Sequence, residues 1–422
     1  MMMGEARVQV FDFVSSLSKV MDLMSPRVVN HQLQVAYIAH SIATEMGVPI
    51  GDLQDVAVAG ALHDIGAFSL QDRLDTLQFE GIDPHLHAEV GYLLLNMFEP
   101  FAGIARMVRF HHVAWKDGEG ATARGEAVPL ESHILHLADR IAVLIDSDQP
   151  MPAQAAVILP RIRSLGAAWF HPDAIEAFER LAGREYFWYE SGSRALESVL
   201  RNRVRWQQME LNMDRLTDLA YMLCRLIDFR SEYTATHSSG VAASAVELAR
   251  LVGFSDQECR LMRVAAYLHD LGKLAVPLEI LEKPGKLEDV ERDVMRSHAF
   301  YTYHILEPIE GLDVITTWSS MHQERLNGSG YPFHRVERDL PLGARVLAVA
   351  DVFTALTEDR PYRKGMPKEH AISTLKRMAS ENELDSAIVS LLRLNFDAIN
   401  VRRIEAQAAA TEDYRQFLCA LD

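Results

Sequence analysis

Apolar positions recur along most of this chain with the period of a helix. Val35–Tyr37–Ile38–Ile42 and Val241–Ala245–Val246–Leu248–Ala249 each form a stripe spaced i, i+3, i+4, i+7, which is one face of an α-helix. No alternating apolar–polar run is long enough to build a sheet. Breakers are few: Ser25-Pro26, Gly51, the stretch from Asp117 to Gly125, Gln149–Pro152, Pro284-Gly285 and Asn327–Gly330. The pattern predicts an all-α protein. Between about Glu190 and Arg225 the chain is polar-rich and free of Gly and Pro after Gly192, which predicts one long connecting helix.

The pattern also repeats. His31 to His63 and His237 to His269 are both steps of 32 residues, and each second histidine is followed by Asp, in ALHDIG and YLHDLG. His87 to His111 and His298 to His322 are both steps of 24. VPLESHILHLAD ends at Asp139 and LPLGARVLAVAD ends at Asp351, each with a proline ten residues before the aspartate. Such a period is too long for a solenoid and fits duplicated domains. Two tandem helical bundles are therefore expected: an N-terminal domain over 1–190, a connecting helix over 191–225 and a C-terminal domain over 226–422.

Composition narrows the functional classes. The 422 residues carry 42 Lys+Arg against 59 Asp+Glu, a formal net charge of −17. A surface that acidic argues against a DNA-coating protein or a basic membrane binder, so an anionic ligand would have to be met locally by a metal or a few cations. The three cysteines, Cys224, Cys259 and Cys419, lack CxxC spacing, which argues against thiolate zinc sites and disulfides and for a reducing cytoplasm. No apolar run approaches the ~18 residues of a spanning helix.

The candidate chemistry lies in the repeated residues. Imidazole and carboxylate together suit Zn, Fe, Mn, Ni or Co rather than Ca. Four histidines and two aspartates exceed the ligand set of one catalytic zinc and fit a two-metal site, which activates water and clamps a phosphoryl group. A lone histidine on a half-apolar helix is usually packed or solvated. Recurrence of the whole set in register favours ligation.

YLHDLGKLAVP at 267–277 and HQERLNGSGYP at 322–332 resemble the two signatures of the HD-GYP phosphodiesterases, a branch of the HD metal-dependent phosphohydrolases. The resemblance runs from about Asp228 to Leu394 and includes YTATHS, EILEKPGKL and ADVFTALTEDRPYR. It implies an all-helical fold, a bi- or trinuclear iron or manganese centre, and hydrolysis of a cyclic dinucleotide, cyclic di-GMP or 3′3′-cGAMP. The implied metal ligands are His237, His269, Asp270, His298, His322 and Asp351, with Asp270 bridging and Gln323 as a further candidate. The resemblance implies that Lys273 touches the phosphate beside the catalytic Asp270, and that Asn327, Gly330, Tyr331, Pro332, Arg360 and Arg363 contact substrate. Gln323 and Asn327 replace a histidine and an aspartate of the family pattern. Tyr233 stands where three-metal members carry a carboxylate, so two metals are expected.

The N-terminal copy resembles the wider HD superfamily. It keeps His31, His63, Asp64, His87, His111, His112 and Asp139 as a second candidate metal site, but Ala67 stands in place of the lysine, and the Tyr-Pro and both arginines are missing. It is read either as a metal site or as a scaffold. The expected partners are a cyclic dinucleotide and a second copy of the chain, with no DNA and no membrane. Two rival readings stay open: a module that binds metal and nucleotide with little hydrolysis, and an HD phosphohydrolase acting on another nucleotide.

Overall fold

The computed structural model describes residues 6–22, 30–68, 85–146, 149–230, 235–283, 285–359 and 364–421. The architecture is helical. The only described strands are four short ones, β1 (Ala6–Gln9), β2 (Thr122–Ala123), β3 (Glu126–Ala127) and β4 (Gln208–Leu211), paired β1 with β4 and β2 with β3. The chain divides at Met209/Glu210 into two compact units, and Ala6–Val8 cluster with the second. No described helix is long and apolar enough to cross a membrane.

The N-terminal unit contains α1 (Val10–Asp22), α2 (His31–Glu45), α3 (Ile50–Leu62), α4 (His85–Leu95), α5 (Ala102–Arg109), α6 (Leu130–Leu144), α7 (Met151–Leu165), α8 (Pro172–Ala182), α9 (Glu185–Ser191) and α10 (Leu196–Arg203). Helix α2 is its axis: from His31 to Ala43 every residue except Gln34 and Ser41 is buried. It packs against α3, α6 and α8. A helix surrounded this way carries apolar residues on all faces, so its amphipathic signal is weak.

The C-terminal unit contains α11 (Met213–Asp228), α12 (His237–Leu251), α13 (Asp256–Leu268), α14 (Leu278–Leu281), α15 (Asp289–Leu306), α16 (Asp313–Ser320), α17 (Leu342–Thr357), α18 (Lys368–Ser380), α19 (Ser386–Leu394) and α20 (Phe396–Leu421). Here α12 is the axis, against α13 and α17, as α2 is against α3 and α6. Helix α13 starts at a full capping box, with Ser255 and Glu258 each bonding the other's backbone N–H.

The single connecting helix expected over 191–225 is not what the chain forms. It breaks into the end of α9, α10, the strand β4 and the start of α11. Tertiary contacts override helix propensity here. Trp206 folds back so that its indole N–H donates to the Leu200 carbonyl at 3.0 Å, closing the end of α10, and its ring lies 4.7 Å from Phe11. The Gln207 N–H donates to the Gln54 side chain. Asn212 then caps α11 by accepting from the Arg215 N–H at 2.9 Å.

Candidate metal centres

Both units deliver their histidines and aspartates by the same device. His31 and His237 are the first residues of α2 and α12. His63 and His269 cap the C-termini of α3 and α13, with Asp64 and Asp270 next along. His87 and His298 come from α4 and α15, and His111 and His322 follow just after α5 and α16. Asp139 and Asp351 are the tenth residues of α6 and α17. Close approach makes this convergence possible: a Cβ on Gly66 or Gly272 would collide with the carbonyl of His87 or His298.

In the C-terminal unit the two oxygens of Asp270 serve different neighbours. Its Oδ2 lies 3.2 Å from His269 Nε2 and accepts from Lys273 Nζ at 2.6 Å. Its Oδ1 lies 3.4 Å from His298 Nε2 and 4.0 Å from His322 Nε2. His237 Nε2 is 3.2 Å from Asp351 Oδ1. Two overlapping groups have ligand atoms within 4.8 Å of one another: His237, His269 and Asp351; and His269, Asp270 and His322. His298 completes the second side, its Nε2 3.3 Å from that of His322.

The ring nitrogens show what this arrangement is built for. Nδ1 of His269, His298 and His322 faces the carbonyls of Ala266, Met295 and Ser319 at 2.6–2.7 Å. An Nδ1–H donated to a carbonyl leaves the Nε2 lone pair pointing inward, the tautomer a metal requires. His269 Nε2 has no hydrogen-bond partner. Neutral rings whose lone pairs face each other at 3.3 Å call for a cation between them.

Burial and charge agree with that picture. Burial alone would raise Asp270, but His269, Lys273 and His298 hold it well below the usual carboxylate range. Asp351 is also lowered, against its burial, by His237 and His269. Burial and the charge of His269 push His322 down to about 3, and burial also lowers His298, so both stay neutral. His237 goes the other way, to about 10, because Glu358 and Asp351 outweigh its burial.

Three supporting residues escaped the sequence reading. Glu358 is buried and both its oxygens lie 3.0 Å from His237 Nδ1, doing for His237 what backbone carbonyls do for the other ligands. It also accepts from Gln407 of α20 at 3.1 Å. Local spacing does not reveal it: Glu358 is the C-cap of α17, in extended backbone just past Thr357, and it meets His237 from 121 residues away. Buried Glu324 accepts the backbone N–H groups of Phe333 and Arg335 at 2.7 and 2.9 Å, fixing the loop after Tyr331. Arg230 donates to the carbonyls of Lys273 and Val276 and so anchors the turn that carries the lysine.

The remaining predicted residues divide. Gly330 is buried against the backbone of Glu324 and Arg325, with no room for a Cβ. Tyr331 reaches the rim of the centre, its ring 6.3 Å from that of His298 and under the Arg296 guanidinium at 4.5 Å. Pro332 follows it, half-buried. Gln323 donates to Asp351 Oδ2 at 3.2 Å. Asn327 is exposed and turned to its own loop, accepting from Ser329 and donating to the Glu381 carbonyl at 3.0 Å, so it is not brought to the metal ligands. Arg360, Arg363 and Tyr233 lie outside the described residues.

The N-terminal cluster copies the ligand geometry and changes its surroundings. Asp64 Oδ2 is 3.3 Å from His63 and 4.0 Å from His31, while Oδ1 is 3.3 Å from His87 and 3.9 Å from His111. Asp139 Oδ1 is 3.3 Å from His31. His112, at the place of Gln323, brings its Nε2 within 2.9 Å of His87 Nε2. His31, His63 and His111 leave Nε2 without a hydrogen-bond partner. Where Lys273 bonds Asp270 Oδ2, the Gln32 amide approaches Asp64 Oδ2 at 3.4 Å, and buried Ala67 offers no cation. Asp139 Oδ2 is held by the neighbouring Arg140.

Comparison with known proteins places this architecture. The HD-domain family matches twice, over residues 28–144 and 221–388. The chain belongs to the HD-domain family and carries two HD domains in tandem. Within that family it is 27% identical over 389 residues, 90% of each chain, to "3′3′-cGAMP-specific phosphodiesterase 1" of Vibrio cholerae. It is 38% identical over 155 residues, 36% of this chain and 41% of the relative, to "Cyclic di-GMP phosphodiesterase response regulator RpfG" of Xanthomonas campestris. The crystal structure of the V. cholerae cyclic GMP-AMP-specific phosphodiesterase V-cGAP3 shares the fold, with a TM-score of 0.62 at 23% identity over 97% of this chain and 98% of that one.

Proposed function

We infer that the C-terminal unit is a metal-dependent phosphodiesterase acting on a cyclic dinucleotide, cyclic di-GMP or 3′3′-cGAMP. The observation that carries the reading is the two-sided Asp270: each oxygen meets a different set of inward-facing Nε2 atoms, and a lysine sits at 2.6 Å on the open side. The donor set of imidazoles and carboxylates fits two divalent cations, iron or manganese first, with zinc, nickel and cobalt compatible. When bound, such a pair supplies an activated water and a clamp on the phosphoryl oxygens. His237, His269 and Asp351 would hold one ion, His298 and His322 the other, with Asp270 between them.

The chain's own residues do the rest. Lys273, 16% exposed, presents a positive charge at the mouth of the site, where phosphate charge grows as water adds to phosphorus and the bond to the 3′ oxygen breaks. Tyr331 and the backbone held by Glu324 form the wall beside it. This answers the charge problem of the acidic chain: the anion is met by a buried cation cluster. The N-terminal unit, with the same ligand cage and no lysine, is read as a second metal site without hydrolysis. The three cysteines are unpaired, Cys224 and Cys259 buried and Cys419 exposed, which supports a cytoplasmic setting.

The test is an anaerobic preparation reconstituted with Fe²⁺ or Mn²⁺, assayed for metal content and for linear product from each cyclic dinucleotide. Full metal occupancy without product would favour the alternative, a binding module. That alternative is motivated by Gln323, an amide bound to Asp351 where the other copy has the imidazole of His112.

A further inference from the structure

Helix α15 carries His298 into the metal centre, and Arg296 stands two residues before it. We propose that Arg296 binds the second phosphate of the cyclic dinucleotide, the one that is not cleaved. The inference rests on the phosphodiesterase reading above and adds a substrate-contacting residue to it.

The loop that follows His322 fixes the position of Arg296. Arg296 and Tyr303 stand seven residues apart on α15 and so share a face of the helix. Tyr331 and Phe333, two residues apart in the loop, lie against that face. The Arg296 guanidinium sits over the Tyr331 ring, 4.5 Å from its centre, and Tyr303 meets Phe333 edge-to-face at 5.3 Å. The loop is tied down in turn, because buried Glu324 accepts the N–H groups of Phe333 and Arg335. A cation–π contact holds a guanidinium in place without using its N–H donors. Arg296 is half-buried and makes no hydrogen bond or ion pair among the described residues, not even with Asp293 one turn back. Its donor fork is held in place and unspent.

Charge and placement select the ligand. Tyr331 links the guanidinium to the metal centre, its ring 6.3 Å from that of His298. Two neighbouring cations are already engaged: Lys273 bonds Asp270, and Arg325 donates to the carbonyls of His322 and Glu324. A cyclic dinucleotide carries two phosphodiesters in one ring. The metals and Lys273 meet the one that is cleaved. In a chain of net charge −17 the other needs a cation of its own. A guanidinium fork matches the two free oxygens of a phosphodiester, which the point charge of a lysine does not.

The experiment uses the full-length protein reconstituted with Mn²⁺ and two matched pairs of probes: cyclic di-GMP with linear GpG, and 3′3′-cGAMP with linear GpA. Each linear partner keeps both bases and one phosphodiester and lacks the second phosphate. Arg296→Ala should raise KM for the cyclic substrate at least about tenfold, with kcat within about threefold. It should raise the Ki of the linear competitor less than about threefold. Arg296→Lys, which keeps the charge and loses the fork, should fall between parent and alanine. An unchanged KM in Arg296→Ala, an equal rise in KM and Ki, which would mark a contact to a base, or a loss of kcat together with metal would each overturn the proposal. A parent that binds the cyclic dinucleotide without turnover refutes the hydrolytic reading alone, and Arg296 is then decided by the same ratios of Kd from equilibrium dialysis. A parent that neither binds nor hydrolyses it overturns both.

Discussion

Replacing Glu358 with glutamine isolates the contribution of one charge that touches no substrate. Glutamine keeps the length of the side chain and an oxygen able to accept the His237 Nδ1–H, so the ring stays in place. It removes a buried negative charge whose two oxygens both sit 3.0 Å from that nitrogen. Outer partners of metal-ligating histidines are worth about 10–100-fold in metal affinity or activity. Because geometry survives and only charge is lost, Glu358→Gln should fall at the lower end, about tenfold, or ~1.4 kcal/mol. Glu358→Ala loses the acceptor and also strands the Gln407 amide that reaches it at 3.1 Å, so it should approach a hundredfold. Metal content after competition with a graded series of chelators reads this directly, beside kcat for the cyclic dinucleotide. The metal-free glutamine variant should also melt below the parent, because the buried carboxylate that raises His237 is gone. If both variants hold metal within twofold of the parent, Glu358 is a packing residue and the positioning role fails.

Asp270→Asn should abolish turnover and lower metal content, because a neutral amide cannot hold two cations together; parental rate and loading in that variant would remove the two-metal mechanism. Lys273→Ala should keep the metals and slow hydrolysis by about 10²–10³-fold, the cost of one lost charge-stabilising donor, whereas loss of metal would make the lysine structural. His63→Ala with Asp64→Ala should spare most hydrolysis and His269→Ala with Asp270→Ala should eliminate it; the opposite outcome would move catalysis to the N-terminal unit. His40 is pushed down to about 4, first by burial and then by Arg203, so the folded N-terminal unit binds fewer protons than the unfolded chain below pH 6.5. Stability should therefore fall as pH drops from 6.5 towards 4, and His40→Gln should flatten that slope in urea titrations; an unchanged slope counts against it.

Much of the site was legible before any coordinates, for a physical reason. Ligands that arise from helix ends repeat at the spacing of the helices between them, so the steps of 32 and 24 residues carried the geometry of both clusters. What sequence hid was set by contacts between distant segments. Glu358 meets His237 across 121 residues, a pairing that no local spacing reveals. The stretch after Gly192 lacks breakers, yet Trp206, Gln207 and their partners Leu200, Phe11 and Gln54 stop the helix. Asn327 belongs to the signature motif, and the contacts that hold its side chain, to Ser329 and to the Glu381 carbonyl 54 residues away, include one that motif spacing does not announce.

The backbone carbonyls that receive Nδ1 of His63, His111, His269, His298 and His322 have an evolutionary consequence. Each acceptor is the carbonyl three residues back on the same turn, present whatever side chain that residue carries. The aim of these imidazoles is thus insulated from drift in their surroundings. The two copies accordingly differ at the lysine and alanine, at the glutamine and histidine and in their loops, while the cage of donors stays in register. Paralogues built on this plan should diverge first in what they do to a ligand and last in their capacity to hold a metal.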